Sequence, residues 1–270
     1  MRGSERSDPG RTRGMQRLDS SNALAIEDVT FRYSGGLSRR ELRPILEKFS
    51  WTLPAGRTVL LGPNGAGKTT MLSLAATVLR PQTGTIRLGN VTTASDLPRY
   101  RRLIAFMPQG FRAIPGFSAL EQVGYIGWLR GSARSEALRE ARVALRRVGL
   151  ASEADTIVDR LSGGQQRRVG LAQLLVRQAS VWLLDEPTVG LDPAQRGRFR
   201  ELVVNLPAET PILVSTHQVD DLGDLFDTVV VLDRGRIRFQ GSPSAFLALA
   251  EPDSSRAAES AYSSLIDREE

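Results

Sequence analysis

Residues 62–69 read Gly62-Pro63-Asn64-Gly65-Ala66-Gly67-Lys68-Thr69, and no other stretch restricts the chain so narrowly. They fit G-x-x-x-x-G-K-[ST], a phosphate-binding loop, which needs a strand before it and a helix after it. Thr58-Val59-Leu60-Leu61 is an apolar run too short for a helix, and helical text follows from Lys68 to Leu79, stopped by Pro81. The glycines let the backbone curl so that several N–H groups point inward, and the next helix turns its positive end to the phosphates. In such a loop the lysine, here Lys68, sets a cation between β- and γ-phosphates, and the hydroxyl of Thr69 can ligate Mg²⁺.

Val181-Trp182-Leu183-Leu184-Asp185-Glu186 is the second signal. Four apolar residues ending in carboxylates describe a buried strand that delivers Asp185 to its C-terminal tip, the edge where open α/β sheets bind ligands. Asp185 is expected to hold Mg²⁺ through water, and Glu186 to polarise an attacking water. Alone the pattern is weak; downstream of a phosphate loop it is strong.

The third signal is Leu161-Ser162-Gly163-Gly164-Gln165, followed by helical text. Ser162 suits a helix N-cap, and the glycines free N–H groups for a second anion site. One phosphate loop has no use for a second phosphate site in its own chain, so the economical reading gives it to a neighbouring subunit.

Other apolar runs, Ile212 to Val214 and Val229 to Leu232, are short and do not alternate, as strands buried on both faces of a parallel sheet do not. The segments LAIEDVTFRY and ILEKFSWTL, joined by the Gly- and Arg-rich loop SGGLSRRELRP, alternate as an antiparallel hairpin does. Gly84 to Leu88 and Leu103 to Met107 are further β text. Residues 118–150 turn helical, with apolar positions 138, 141, 145 and 148 on one face and Arg134, Arg139, Arg142, Arg146 and Arg147 on a solvated one. Strands alternating with helices predict an α/β layer architecture.

Composition removes other classes. The chain has 270 residues, 41% of them hydrophobic, too many for disorder as the main state. It has no cysteine, which excludes disulfide scaffolds and thiolate metal sites. No apolar stretch approaches the roughly 18 residues of a spanning helix. Lysine occurs only at Lys48 and Lys68 and histidine only at His217, against 36 basic side chains in all and a net charge of +6. That preference for arginine fits a genomic composition bias, and it singles out the few Lys and His that remain. Residues 1–22 read as a basic, disordered tail without the apolar core of a signal peptide, and Met15 is a candidate alternative start.

Together these residues resemble the ATP-binding-cassette ATPases, the ATP-binding (nucleotide-binding) subunits of ABC transporters. Leu161 to Gln165 matches the family signature, and four further elements match in order. Tyr33 matches the aromatic that stacks on adenine, with Phe31 as the alternative. Gln109, in Met107-Pro108-Gln109-Gly110, matches the glutamine between the two lobes. Gly190-Leu191-Asp192-Pro193 matches the loop that crosses the dimer interface, and His217 matches the switch histidine. Two departures are small: Val189 replaces a smaller residue, and His217 precedes Gln-Val-Asp-Asp rather than a nearer acid.

The resemblance covers roughly residues 23–245. It implies a P-loop NTPase fold with a mostly parallel core sheet, an antiparallel β subdomain, and an inserted helical subdomain at about 111–173. Residues 246–270 would form an acidic appendage. It implies ATP and Mg²⁺ as cofactors. Lys68 and the loop amides, with Thr70, would contact phosphates. Thr69, Gln109 and Asp185 would share the metal. Glu186 would act as general base, steadied by His217. ATP would lie between the phosphate loop of one subunit and Ser162, Gly163, Gly164, Gln165 and Asp192 of another, in a homo- or heterodimer.

For the whole protein the resemblance implies ATP hydrolysis coupled to transport by a separate integral membrane subunit, at the inner face of the cell membrane. Export is expected, because the stretch from Gln109 to Gly131 looks like that of bacterial efflux-type subunits. An ATPase acting on nucleic acid or the ribosome is the alternative, invited by an isoelectric point near 10.4. No nucleic-acid partner is expected, since there is neither a long heptad insertion, nor a second cassette, nor a concentrated basic block. A nucleotide binder without turnover is the third possibility, and the complete catalytic set argues against it.

Overall fold

The computed structural model describes residues 23–34, 43–177, 179–206, 210–218, 225–251, 254 and 256–266. The basic tail at 1–22, most of the loop after Tyr33 and the residues after Ile266 lie outside the described residues.

The strands form two sheets. One is antiparallel, in the order β2 (Leu46–Thr52), β1 (Leu24–Phe31), β4 (Thr83–Leu88), β5 (Val91–Thr92). Ile26 lies opposite Trp51 on one side and Ile86 on the other. All three are buried, while Glu27 and Glu47 face solvent, the half-buried pattern that made this text legible as antiparallel.

The second sheet runs β10 (Arg236–Gly241), β9 (Thr228–Asp233), β3 (Arg57–Leu61), β8 (Ile212–Thr216), β7 (Val181–Asp185), β6 (Ile104–Met107). All neighbours from β9 to β6 are parallel. β10 is antiparallel to β9, turned back at Arg234-Gly235, both with positive φ. The parallel strands are apolar throughout because both faces are covered. Val59, Leu61, Trp182, Leu184 and Val214 join one core. Leu60, Leu183, Leu213 and Val230 join the other, shared with the antiparallel sheet.

The helix after β3, α1 (Lys68–Ala75), packs Met71, Leu72 and Leu74 into that second core. It ends earlier than the expected Leu79. Thr77 turns left-handed, and the N–H groups of Val78 and Leu79 fold back onto the Ser73 carbonyl. A short α2 (Leu97–Leu103) is capped by Asp96.

Three helices pack on one another over the first core: α3 (Ala119–Leu129), α4 (Arg134–Arg147) and α5 (Gly163–Leu175). The helical text expected across 118–150 divides at Gly131, which takes φ 98. The buried stripe of α4 is Ala137, Ala141, Ala144 and Leu145, and its five arginines are exposed. Then come α6 (Pro193–Val204), α7 (Pro243–Leu247) and α8 (Ala257–Ile266). Ala261 of α8 is buried, so this acidic segment packs on the core through an apolar side. Among the described residues no helix is long and apolar enough to cross a membrane.

Candidate functional site

Register places the site. Leu61 aligns with Thr216, Leu184 with Val214 and Met107, and Asp185 with Ser215. The C-terminal ends of β3, β6, β7 and β8 therefore share one edge, and the phosphate loop, Gln109, Asp185, Glu186 and His217 all follow from it.

The loop is shaped by its glycines. A Cβ on Gly62 would lie 2.2 Å from the carbonyl oxygen of Leu232, so only glycine fits against the end of β9. Gly65 and Gly67 take φ 84 and 107, in the left-handed region that side chains disfavour. Gly67 starts α1 with no side-chain cap, leaving the first-turn N–H groups of that helix available. A cavity of about 280 Å³ opens over them, lined by Pro63 through Thr70 with Tyr33, Ile45, Gln109 and Glu186.

Lys68 is buried, and its Nζ donates to the carbonyls of Gly62 and Pro63. Burial pushes the ammonium below its ordinary pKa, while the carboxylates of Glu186 and Asp185 pull the other way. Tyr33 is 45% exposed at the cavity, with its hydroxyl 3.1 Å from Thr70 Oγ1. Phe31, the alternative aromatic, is buried in the antiparallel sheet, edge-on to Tyr33.

Two carboxylates cross from β7. Ser215 Oγ donates to Asp185 Oδ1 at 2.6 Å and accepts the Glu186 N–H at 3.0 Å. Among the described residues Asp185 Oδ2 is buried without a hydrogen-bond partner. Glu186 takes φ 50, and its Oε1 lies 3.0 Å from Nδ1 of His217. The Glu186 side chain is 6% exposed and that of His217 45%, so the histidine reaches in from the solvent side. A carboxylate acceptor sets a proton on Nδ1 and leaves Nε2 for another partner. Glu186 Oε2 is likewise buried and unpartnered among the described residues.

An unpartnered buried carboxylate oxygen beside a phosphate cradle suits a hard cation or its water. Among the described residues no three acidic, His or Cys side chains are placed to hold a metal ion together. A cation here would therefore depend on Asp185, the hydroxyl of Thr69, the amide of Gln109, water and phosphate.

The signature residues lie elsewhere. Ser162, Gly163, Gly164 and Gln165 start α5 in a reciprocal capping box and do not line the cavity. Asp192 caps α6 through the N–H of Gln195. The side chain of Gln195 sits 2.7 Å from where a Cβ on Gly164 would be.

Two residues escaped the sequence reading. Ser215 carries no motif signal beyond standing two residues before His217. Arg167, 7% exposed on α5, donates from its guanidinium to the carbonyls of Gln109, Asp185, Glu186 and Pro187. Its position two residues past the signature was the only hint.

Known proteins resemble this chain in sequence and fold. The ABC transporter domain family matches residues 46–189. The chain belongs to the ABC transporter family. The phosphonates import ATP-binding protein PhnC of Thiobacillus denitrificans is 34% identical over 241 residues, 85% of this chain and 91% of PhnC. Nod factor export ATP-binding protein I of Burkholderia lata is 35% identical over 205 residues, 75% of this chain and 67% of that protein. A solved dimeric structure of the ATP-binding cassette MJ0796, in a post-hydrolysis state bound to ADP and Pi, superposes with TM-score 0.73 at 26% identity, covering 81% of this chain and 98% of that one. This ABC chain is thus an ATP-binding transporter subunit and an ATP hydrolase, with the P-loop α/β cassette expected from its sequence.

Proposed function

We propose that the chain hydrolyses ATP in a head-to-tail dimer beneath a separate membrane-embedded subunit, and that the coupled substrate moves outward. Residues 23–245 form the ATP-binding domain in this reading, with a helical subdomain at about 111–173 and an appendage at 246–270. The carrying observation is that two helix N-termini suit anions and only the Lys68 one lines the cavity. The Ser162 one is left for the γ-phosphate side of a nucleotide held by a second subunit, the same chain or another, where Asp192 would also reach.

Within a site, Tyr33 stacks on adenine and the amides of residues 65–69 take the phosphates. Lys68 exchanges the carbonyls of Gly62 and Pro63 for β/γ-oxygens, a charge-assisted pairing that offsets its burial. Asp185, Thr69 and Gln109 would hold Mg²⁺, which would supply neutralisation of phosphate charge. His217 occupies Oε1 of Glu186, so Oε2 is the atom that takes the proton of the attacking water. His217 Nε2 is left for the γ-phosphate side, to which it donates when it carries a proton.

The membrane partner is supported by an exposed aromatic groove on the helical side. It measures about 610 Å³ and includes Phe117, Tyr125 and Trp128, the last two stacked 5.7 Å apart. Trp128 is 55% exposed, as an interface anchor is before docking. Outward transport rests on the apolar Gln109–Gly131 stretch, and relatives carry names of both import and export.

Mixing tests the dimer. Ser162→Arg and Glu186→Gln chains should each bind ATP and each be nearly inactive. Together they should recover turnover, because the mixed dimer holds one intact composite site. A mixture as inactive as its components would reject the in-trans assignment. The membrane role is tested by mild-detergent co-purification from native membranes. An integral membrane subunit should accompany the wild-type chain and be lost with Trp128→Asp; recovery of nucleic acid instead would favour the other reading.

A further inference from the structure

Arg167 is a buried cation without a carboxylate partner among the described residues. All its hydrogen bonds there go to backbone carbonyls. Nε donates to Pro187 at 3.3 Å, Nη2 to Asp185 at 3.0 Å and also to Glu186, and Nη1 to Gln109. Those carbonyls lie just beyond or at the ends of β6 and β7, while Arg167 itself belongs to α5, the helix that Ser162 starts.

A planar guanidinium with five donors suits several acceptors fanned around it, whereas an ammonium on a flexible stem does not hold them in one plane. The acceptor at Glu186 is unusual, because that residue takes φ 50. Left-handed backbone is disfavoured for a residue with a Cβ and persists where its surroundings hold it. Arg168, the next residue, makes a useful contrast. It also donates to carbonyls, those of Val148 and Gly149, which follow α4 and lie away from the cavity.

We infer that Arg167 is a positioning residue for hydrolysis: it clamps the Glu186 peptide in its left-handed turn and fixes the Gln109 carbonyl beside it. The signature helix, the hydrolytic carboxylate and the glutamine then keep one relative placement. The inference rests on the role given above to Glu186. Without the fork, Glu186 relaxes and Oε2 loses its aim at the water, while phosphate contacts through Lys68 remain.

The test uses the full chain with Mg²⁺ and ATP. Arg167→Met should lower kcat about 100-fold, the scale of a 1 Å misplacement, with the KM for ATP changed less than about threefold. Arg167→Lys should recover only part of kcat. Arg168→Met, which cuts comparable carbonyl bonds on the same helix, should leave kcat near wild type. In a Glu186→Gln background, single-turnover hydrolysis should show almost no further loss from Arg167→Lys, because both changes act through one group. Multiplicative losses, or equal falls in kcat for Arg167 and Arg168 variants, would reduce Arg167 to a structural residue. Near-normal turnover in Glu186→Gln alone would instead overturn the underlying site assignment. If Arg167→Met does not fold, Arg167→Lys carries the same comparisons.

Discussion

The N-termini of α1 and α5 look alike in sequence, glycines ahead of a helix, yet they are built in opposite ways. α1 begins at a left-handed Gly67 with no side-chain cap. α5 begins at Ser162, whose hydroxyl accepts the Gln165 N–H while the Gln165 amide oxygen accepts the Ser162 N–H. One helix start leaves its donors to a ligand; the other already answers two of its own, the N–H groups of Ser162 and Gln165. A phosphate therefore has a complete cradle at α1, whereas at α5 it competes with the capping box. In the dimer proposed above, this difference suits one site that recruits nucleotide and another that closes over it later.

The strongest way to break the contrast is at Lys68. Lys68→Met should weaken ATP binding to the isolated chain about 100-fold, the worth of charge-assisted contacts near 3 kcal/mol, by equilibrium titration. Ser162→Ala should leave that affinity alone and cost about 1 kcal/mol of stability as a lost cap. Comparable losses of affinity in both would erase the distinction. The buried ammonium adds a pH test. Its folded pKa is below the ordinary value, so the unfolded chain binds more protons between the two. Wild-type stability should rise relative to Lys68→Met as pH approaches the unfolded value near 10.5 in urea titrations; a falling difference would contradict the burial.

A subtler test compares glycines. Gly67 takes φ 107, and Ile45 Cγ2 lies 3.3 Å from where its Cβ would be, while Gly163 has ordinary φ and open space. Gly67→Ala should cost about 1–3 kcal/mol in thermal or urea unfolding. Gly163→Ala should stay within about 0.5 kcal/mol, and any damage it does should show only in the dimer's turnover.

The sequence revealed what is local. The phosphate loop, the strand ending at Asp185 and the capped signature are contiguous patterns, and apolar runs without alternation exposed the parallel strands. What it hid depends on register between distant segments. Ser215 serves both carboxylate residues only because β8 aligns it with Asp185, and no periodicity encodes that pairing. Arg167 read as one more arginine in an arginine-rich chain, since the carbonyls it binds come from positions 58, 18, 19 and 20 residues away. α1 stops short of Leu79 at a left-handed Thr77, whose hydroxyl and carbonyl accept from the distant Arg101 side chain, a pairing that no local pattern announces. The scarce lysines divide the same way: Lys68 lines the cavity, while Lys48 sits exposed at an irregularity of β2 with φ 46.

The carbonyl of Leu232 pressed against Gly62 has a kinetic meaning as well. A loop wedged on the last residues of a neighbouring strand has little room to wander, so its ordering entropy is settled during folding rather than on capture. Nucleotide should then enter at a rate governed by diffusion and access past Tyr33, without a slow rearrangement of the loop itself, and most variation in affinity among loop variants should appear as changes in how long the nucleotide stays.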